Sequence, residues 1–177
     1  MTITPNVSRR TALKGAVAGL IVAGTGAGGL VFGHGNAWAA TAENLDADTF
    51  ATLVQMSRDT YPHSRLDDSF YAEAVSGLDK AAKDDAGLKT MLSEGAARLD
   101  KEALGMKAAS YRTMSSEDDR VAILKSMEGD PFFQKIRGNL VTGLYNNQKA
   151  WPLFGYEGES ASKGGYIDRG FADIDWL

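Results

Sequence analysis

Cysteine is absent from the 177 residues, and histidine occurs only as His34 and His63. Without thiols there is no disulfide framework, no thiolate metal site, no iron–sulfur cluster and no attachment point for c-type haem. Two histidines are too few to build a zinc or haem site. Runs of alternating β-branched residues, the mark of strands, are also missing, and no internal repeat is found. Basic charge is in deficit: 19 Lys and Arg face 23 Asp and Glu. A surface of that sign makes nucleic acid and anionic membrane poor partners.

The one long uncharged stretch, Gly15 to Phe32, contains six glycines and a threonine. As a helix its eighteen residues would reach about 27 Å, barely a bilayer core. Ahead of it stands Ser8-Arg9-Arg10-Thr11-Ala12-Leu13-Lys14, and behind it Ala37-Trp38-Ala39. Paired arginines, a weakly apolar core and a small-x-small site are the parts of a twin-arginine export leader. Ser8, Arg9, Arg10, Leu13 and Lys14 carry the signal, and Ala37 with Ala39 suits cleavage after Ala39. A retained N-terminal anchor is the alternative. Residues 1–39 are therefore set apart as a signal helix. The remainder has 16 basic and 23 acidic side chains, a formal charge of −7.

Residues 40–149 read as a helical body. Ala40 to Asp48 is small and polar, a flexible lead-in. Asp46 or Asp48 caps a helix bearing Phe50, Leu53, Val54 and Ser57, ended by Tyr61-Pro62. Asp67 or Asp68 caps the next, with Phe70, Ala74, Leu78 and Ala82 on its stripe, and Gly87 breaks or bends it. Leu88, Met91, Leu92, Ala96 and Leu99 keep the helical period to about Leu104. Ser115 with Asp118, or Ser116 with Asp119, resembles a capping box before Val121, Leu124 and Met127, and Gly129 stops that helix. Asp130-Pro131 opens the best-defined one, with Phe133, Ile136, Leu140 and Leu144 as its stripe, widened by Phe132 and Val141. The expected fold is all-α, an irregular bundle of about five helices.

Residues 150–177 lose the period and place Trp151, Phe154, Tyr156, Tyr166, Phe171 and Trp176 between glycines. Such an extended tail either wraps its own bundle or docks into a partner, where aromatic anchors carry much of the binding energy.

Little here suggests catalysis. His63, with Ser64, Asp67 and Asp68 nearby, invites a triad, but neighbours in sequence seldom reach triad geometry and no strand-to-helix elbow exposes the serine. A turn or an interface hydrogen bond suits His63 better. Asp84-Asp85, Asp118-Asp119 and Asp173/Asp175 lack the spacing of a calcium loop. The glycine clusters follow no strand, so they make no phosphate loop.

Taken together, the leader, Thr60-Tyr61-Pro62-His63, Asn139-Leu140-Val141-Thr142-Gly143-Leu144-Tyr145-Asn146-Asn147, Trp151 with Gly155-Tyr156-Glu157-Gly158, Gly164-Gly165-Tyr166, Arg169-Gly170-Phe171 and Asp173-Ile174-Asp175-Trp176 resemble the gluconate 2-dehydrogenase subunit 3 family. The resemblance implies a non-catalytic small subunit without a cofactor of its own. Its partners would be an FAD-containing large subunit acting on sugars, polyols or sugar acids and a multihaem cytochrome c subunit. It would assist folding of the large subunit and carry it through the twin-arginine translocon to the periplasm, where the complex sits on the cytoplasmic membrane. Tyr145, Trp151, Phe154, Tyr156, Tyr166, Arg169, Phe171 and Trp176 are the expected interface. A free-standing periplasmic ligand-binding module, its tail closing over a pocket, and a hydrolase using His63 are the rival readings.

Overall fold

The computed structural model describes residues 42–168. The leader residues Ser8, Arg9, Arg10, Leu13 and Lys14, the cleavage residues Ala37 and Ala39, and the tail residues Arg169, Phe171 and Trp176 lie outside them. Among the described residues there are five α-helices and no strand. They are α1 (Ala47–Thr60), α2 (Asp68–Ala81), α3 (Ala86–Gly105), α4 (Glu117–Ser126) and α5 (Pro131–Tyr145). Three short 3-10 turns join or follow them, Tyr111–Thr113, Trp151–Phe154 and Ala161–Lys163.

Every α-helix starts on a polar cap whose side chain accepts a backbone N–H of the first turn: Asp46, Asp67, Asp85, Ser116 and Asp130. Such caps satisfy amides that the helix itself leaves unpaired, each worth about 1 kcal/mol. Pro131 occupies the first position of α5, where its missing N–H costs nothing. Gly87 sits inside the first turn of α3 rather than ending α2.

α1 lies at the centre and packs against the other four helices, while α2 and α5 form the most extensive pair. Of the expected α2 stripe, Ala74, Leu78 and Ala82 are buried while Phe70 is only half-buried, and Tyr71, Ala72 and Val75 complete the buried face. On α4 the buried residues are Ile123 and Leu124, with Met127 following, whereas Val121 is half-buried. Val141 does not widen the core stripe of α5: it is 50% exposed, on the solvent side of the helix.

Two close approaches set the spacing of the bundle. A Cβ at Gly95 would lie 2.2 Å from the ring of Phe132, and one at Gly143 would lie 2.8 Å from the Cβ of Ala74. Both distances are far inside van der Waals contact, so α5 reaches α3 and α2 only because these positions carry no side chain.

A charged cluster is buried beside this apolar core. Asp59, 7% exposed, accepts the Tyr111 hydroxyl at 2.8 Å, the Arg120 guanidinium at 2.8 and 3.1 Å, and the Gln55 amide at 3.0 Å. Arg120 also donates to the Met114 carbonyl at 2.6 Å. Burial first, then the Asp59 charge, push the Tyr111 phenol well above its ordinary range, and the Asp59 hydrogen bond raises Arg120 further.

The stretch expected to be a flexible lead-in is strapped down from Ala42 onward. Leu45 is buried, and the N–H groups of Glu43, Asn44 and Leu45 donate to the Asp79 carboxylate at 2.9, 3.1 and 2.7 Å. A buried carboxylate needs such donors, because charge away from water is costly unless hydrogen-bonded.

Gly95→Ala is expected to lower stability by about 1–3 kcal/mol in urea titration, since overpacking against Phe132 outweighs the ~1 kcal/mol gained in helix propensity. Gly138→Ala, where nothing lies within 4 Å of the new methyl, should instead add up to about 1 kcal/mol.

Acid should weaken the fold through its caps. The Phe132 N–H, then Arg98, hold the Asp130 carboxyl below the ordinary carboxylate range. A depressed pKa means that the unfolded chain takes up protons first, so this stabilisation is complete above about pH 4 and is lost as pH falls further. The urea midpoint should drop below pH 4, and less so in Asp130→Asn, which caps without titrating.

Candidate partner-docking site

The site is built where the end of α1, the end of α5 and the turn Trp151–Phe154 meet. Tyr71 on α2 prepares it from beneath. Its fully buried hydroxyl donates to the Tyr61 carbonyl at 2.7 Å and accepts the His63 N–H at 3.1 Å. These bonds fix the Tyr61-Pro62-His63 loop, while the Arg58 guanidinium lies 4.8 Å from the Tyr71 ring centroid and pairs with Asp68 at 2.5 Å. Burial raises the Tyr71 phenol above its ordinary value, which keeps it a neutral donor.

On that loop His63 meets two aromatic rings. Its Nε2 lies 2.8 Å from the Tyr145 hydroxyl, and its ring stands edge-on to Tyr145 and Phe154, with centroids 5.6 and 5.0 Å away. Tyr145 also meets Tyr61 edge-on at 5.8 Å and Phe154 at 5.8 Å. Edge-to-face rings at such spacings gain about 0.5–1.5 kcal/mol beyond the area they bury. Burial, then Tyr61 and Tyr71, raise the Tyr145 phenol.

The neighbouring carboxylates serve other ends. Asp67 accepts the Ser69 hydroxyl and N–H, and Asp68 takes Arg58, so each has a partner other than His63. Among the described residues no group of three or more His, Asp or Glu is placed to hold a metal ion.

Residues 150–168 are shaped by short turns. Ala150 is fully buried, and Trp151 donates its indole N–H to the Tyr145 carbonyl at 2.9 Å. Trp151 stacks edge-on with Tyr156 at 5.2 Å, and a Cβ at Gly158 would lie 3.4 Å from its ring. Gly155, at φ 75°, reverses the chain so that the Tyr156 N–H reaches the Trp151 carbonyl at 2.9 Å. Arg65 donates to the Leu153 carbonyl, and Lys149 and Asn147 bind Glu73 on α2. The Lys149 contact lowers the Glu73 carboxyl, but both groups are exposed, so this ion pair contributes less than about 1 kcal/mol.

Of the expected interface residues, Tyr145, Trp151, Phe154 and Tyr156 are brought together, and His63 joins them. Their inner faces pack on one another while Tyr145 is 39%, Leu153 36% and Tyr156 49% exposed, with Val141 one turn before Tyr145 on the outer side of α5. Tyr166 stands apart, 61% exposed, with no ring contact to the cluster. The expectation missed Leu153, Arg65 and Tyr71. Leu153 had a local signal, an apolar residue between a proline and an aromatic; Tyr71 had none, because its role depends on a loop ten residues away.

A separate open groove of about 420 Å³ lies between α3 and the start of α5, lined by Thr90, Met91, Glu94, Arg98, Asp130 and Phe132 among others. No residue of 150–168 lines it. Among the described residues no helix is long and apolar enough to cross a membrane. Comparisons with family models, with curated proteins and with solved structures match nothing.

Tyr145→Phe and His63→Ala should each cost about 0.5–1.5 kcal/mol, and the double variant less than their sum. A coupling below a few tenths of a kcal/mol in urea titrations would remove this hydrogen bond from the site's scaffold.

Proposed function

We propose that this chain is the non-catalytic small subunit of a membrane-associated, FAD-dependent dehydrogenase acting on CH–OH groups, as its resemblance to the gluconate 2-dehydrogenase subunit 3 family implies. In this reading the flavin belongs to a large subunit and haem c to a cytochrome subunit. The chain holds the large subunit in its folded, flavin-loaded state and brings it to the periplasm through the twin-arginine leader of residues 1–39.

The observation that carries the reading is the solvent-facing aromatic cluster of Tyr145, Trp151, Leu153, Phe154 and Tyr156 on a rigid helical body. Exposed aromatic groups whose rotamers are already locked lose little entropy on binding, so they suit the centre of an interface. Tyr166, Arg169, Phe171 and Trp176 extend the docking segment beyond the cluster. The surplus of acidic groups favours a basic rim on the partner and speeds encounter more than it tightens the complex. A chain that binds only the folded partner stabilises it by mass action, which is what a passenger needs during folded export.

Leu153→Asp combined with Tyr156→Asp tests the cluster. Both side chains are exposed and only the edge-on contact of Tyr156 with Trp151 is given up, so the variant should lose no more than about 2 kcal/mol and stay folded. On co-expression with the large subunit it should capture at least about thirtyfold less flavoprotein, the effect of losing one hot spot of roughly 2 kcal/mol. Undiminished capture and export of FAD-containing activity would refute docking through this face. A native protein that purifies alone as a monomer would favour a free-standing binding module.

A further inference from the structure

We propose that the outer face of α5 packs against an α-helix of the docked partner, and that this helix carries Asp or Glu along the edges of the contact. The inference deepens the docking reading above, on which it rests for the protein captured.

α5 contains two glycines, Gly138 and Gly143. Gly143 admits Ala74 of α2, whereas a Cβ at Gly138 would meet nothing within 4 Å, and Gly138 is exposed. A glycine in the middle of a helix weakens it relative to alanine. At Gly143 close packing offsets that loss, and at Gly138 nothing among the described residues does. What Gly138 allows is the close approach of another backbone from outside.

Its neighbours on the surface have the spacing of a seam between helices. Gln134, Gly138, Val141 and Tyr145 follow one another at intervals of four, three and four residues, the a/d rhythm of paired helices. At about 100° per residue they fall within an arc of roughly 60°. All four are exposed, Val141 by 50% and Tyr145 by 39%. Both ends of the seam are held in place. The Gln134 amide donates to the Glu128 carbonyl at 2.6 Å, and Tyr145 is fixed by His63, Tyr61 and Phe154. Tyr145 also belongs to the aromatic cluster, so the seam runs into the docking site without a break. An amphipathic helix laid along such a face is a recurrent mode of protein recognition.

Charge selects the occupant. Lys135 and Arg137 flank the seam on opposite sides, about 70–90° from its centre. These are the e and g positions, whose charges decide which helices pair. Both are exposed, and neither makes an ion pair among the described residues. The face is therefore locally basic on a chain with an acidic surplus. α5 itself contains no Asp or Glu. Two copies joined through α5 would bring only cations to the edges of the contact, whereas a partner helix with acidic edges supplies the complement.

Three forms of the full chain are co-expressed with the large subunit, and the captured flavoprotein is measured: the parent, Gly138→Gln, and Lys135→Glu combined with Arg137→Glu. Gln is a good helix former at an open position, so the urea midpoint of Gly138→Gln should equal or exceed the parent's. Its capture should fall at least about fivefold, because the added side chain overpacks the seam. The charge reversal should lower capture to a similar extent at low salt and less at about 1 M NaCl, where exposed charges are screened. In the parent complex, carbodiimide coupling should join the Lys135 Nζ to an Asp or Glu of the large subunit, identified by mass spectrometry within a segment of helical period. Parental capture by Gly138→Gln, or by the charge reversal, would overturn the seam; if Leu153→Asp with Tyr156→Asp has lost capture, docking itself stands. Parental capture by all of these variants would overturn both. A Gly138→Gln chain less stable than its parent, or a Lys135 link to a second copy of this chain, would also overturn the proposal.

Discussion

The contact on which the rest of the molecule hangs is the close approach of α2 and α5 at Ala74 and Gly143. With no Cβ at Gly143, the two helices pack nearly backbone to backbone, and Asn139 secures the register by donating to the Ala74 carbonyl at 2.9 Å. Everything the protein presents outward is placed relative to that pair. Tyr145 lies two residues past Gly143, so the contact decides where its ring emerges. The turn Trp151–Phe154 follows, held to the Tyr145 carbonyl through the Trp151 indole and to α2 through Lys149 and Glu73. A shift of α5 by one residue would rotate Tyr145 by about 100° and dismantle the cluster around His63.

The second constraint is electrostatic. Asp59 brings a buried carboxylate into the last turn of α1, and Arg120 and Tyr111 close around it from α4 and the turn before it. Removing Arg120 would leave the buried Asp59 charge without its counter-ion, a loss of about 3–5 kcal/mol. The pair need not add much net stability over apolar residues of the same size. Its effect is geometric: only one arrangement of α1, α4 and the Tyr111 turn satisfies all the donors at once, which fixes the α4 side of a bundle whose shortest helix buries little apolar surface.

These two constraints also explain what could be read along the chain. Asp130-Pro131, Ser116 and Asp67 announce their helices because capping is settled within three or four residues, and each is the observed cap. The all-α class follows from the same local patterns. Tyr71, Asp59 and Asp79 escaped notice because the partners that fix them across the fold lie 8 to 61 residues away, and a tyrosine or aspartate on a helix gives no local sign of its burial. Val141 was misplaced for a related reason: an apolar residue beside a stripe reads as its margin, and only the packing of α2 and α5 shows that it faces water. The aromatic content of 150–168 pointed to docking. The grouping of His63, Tyr145, Trp151, Phe154 and Tyr156, by contrast, depends on a 3-10 turn and a left-handed glycine that have no helical period to reveal them.

α2 connects the two ends of this design. Tyr71 supports the loop beneath the aromatic cluster, Glu73 holds the segment leading into it, and Asp79 grips residues 43–45. From Tyr71 to Asp79 is eight residues of one helix, about 12 Å. Anything that displaces α2 by part of a turn therefore acts on the aromatic cluster and on residues 43–45 together. The packing of His63 on Tyr145 and Phe154 bears on the loop fixed by Tyr71, and so favours the same placement of α2 that keeps Asp79 under residues 43–45.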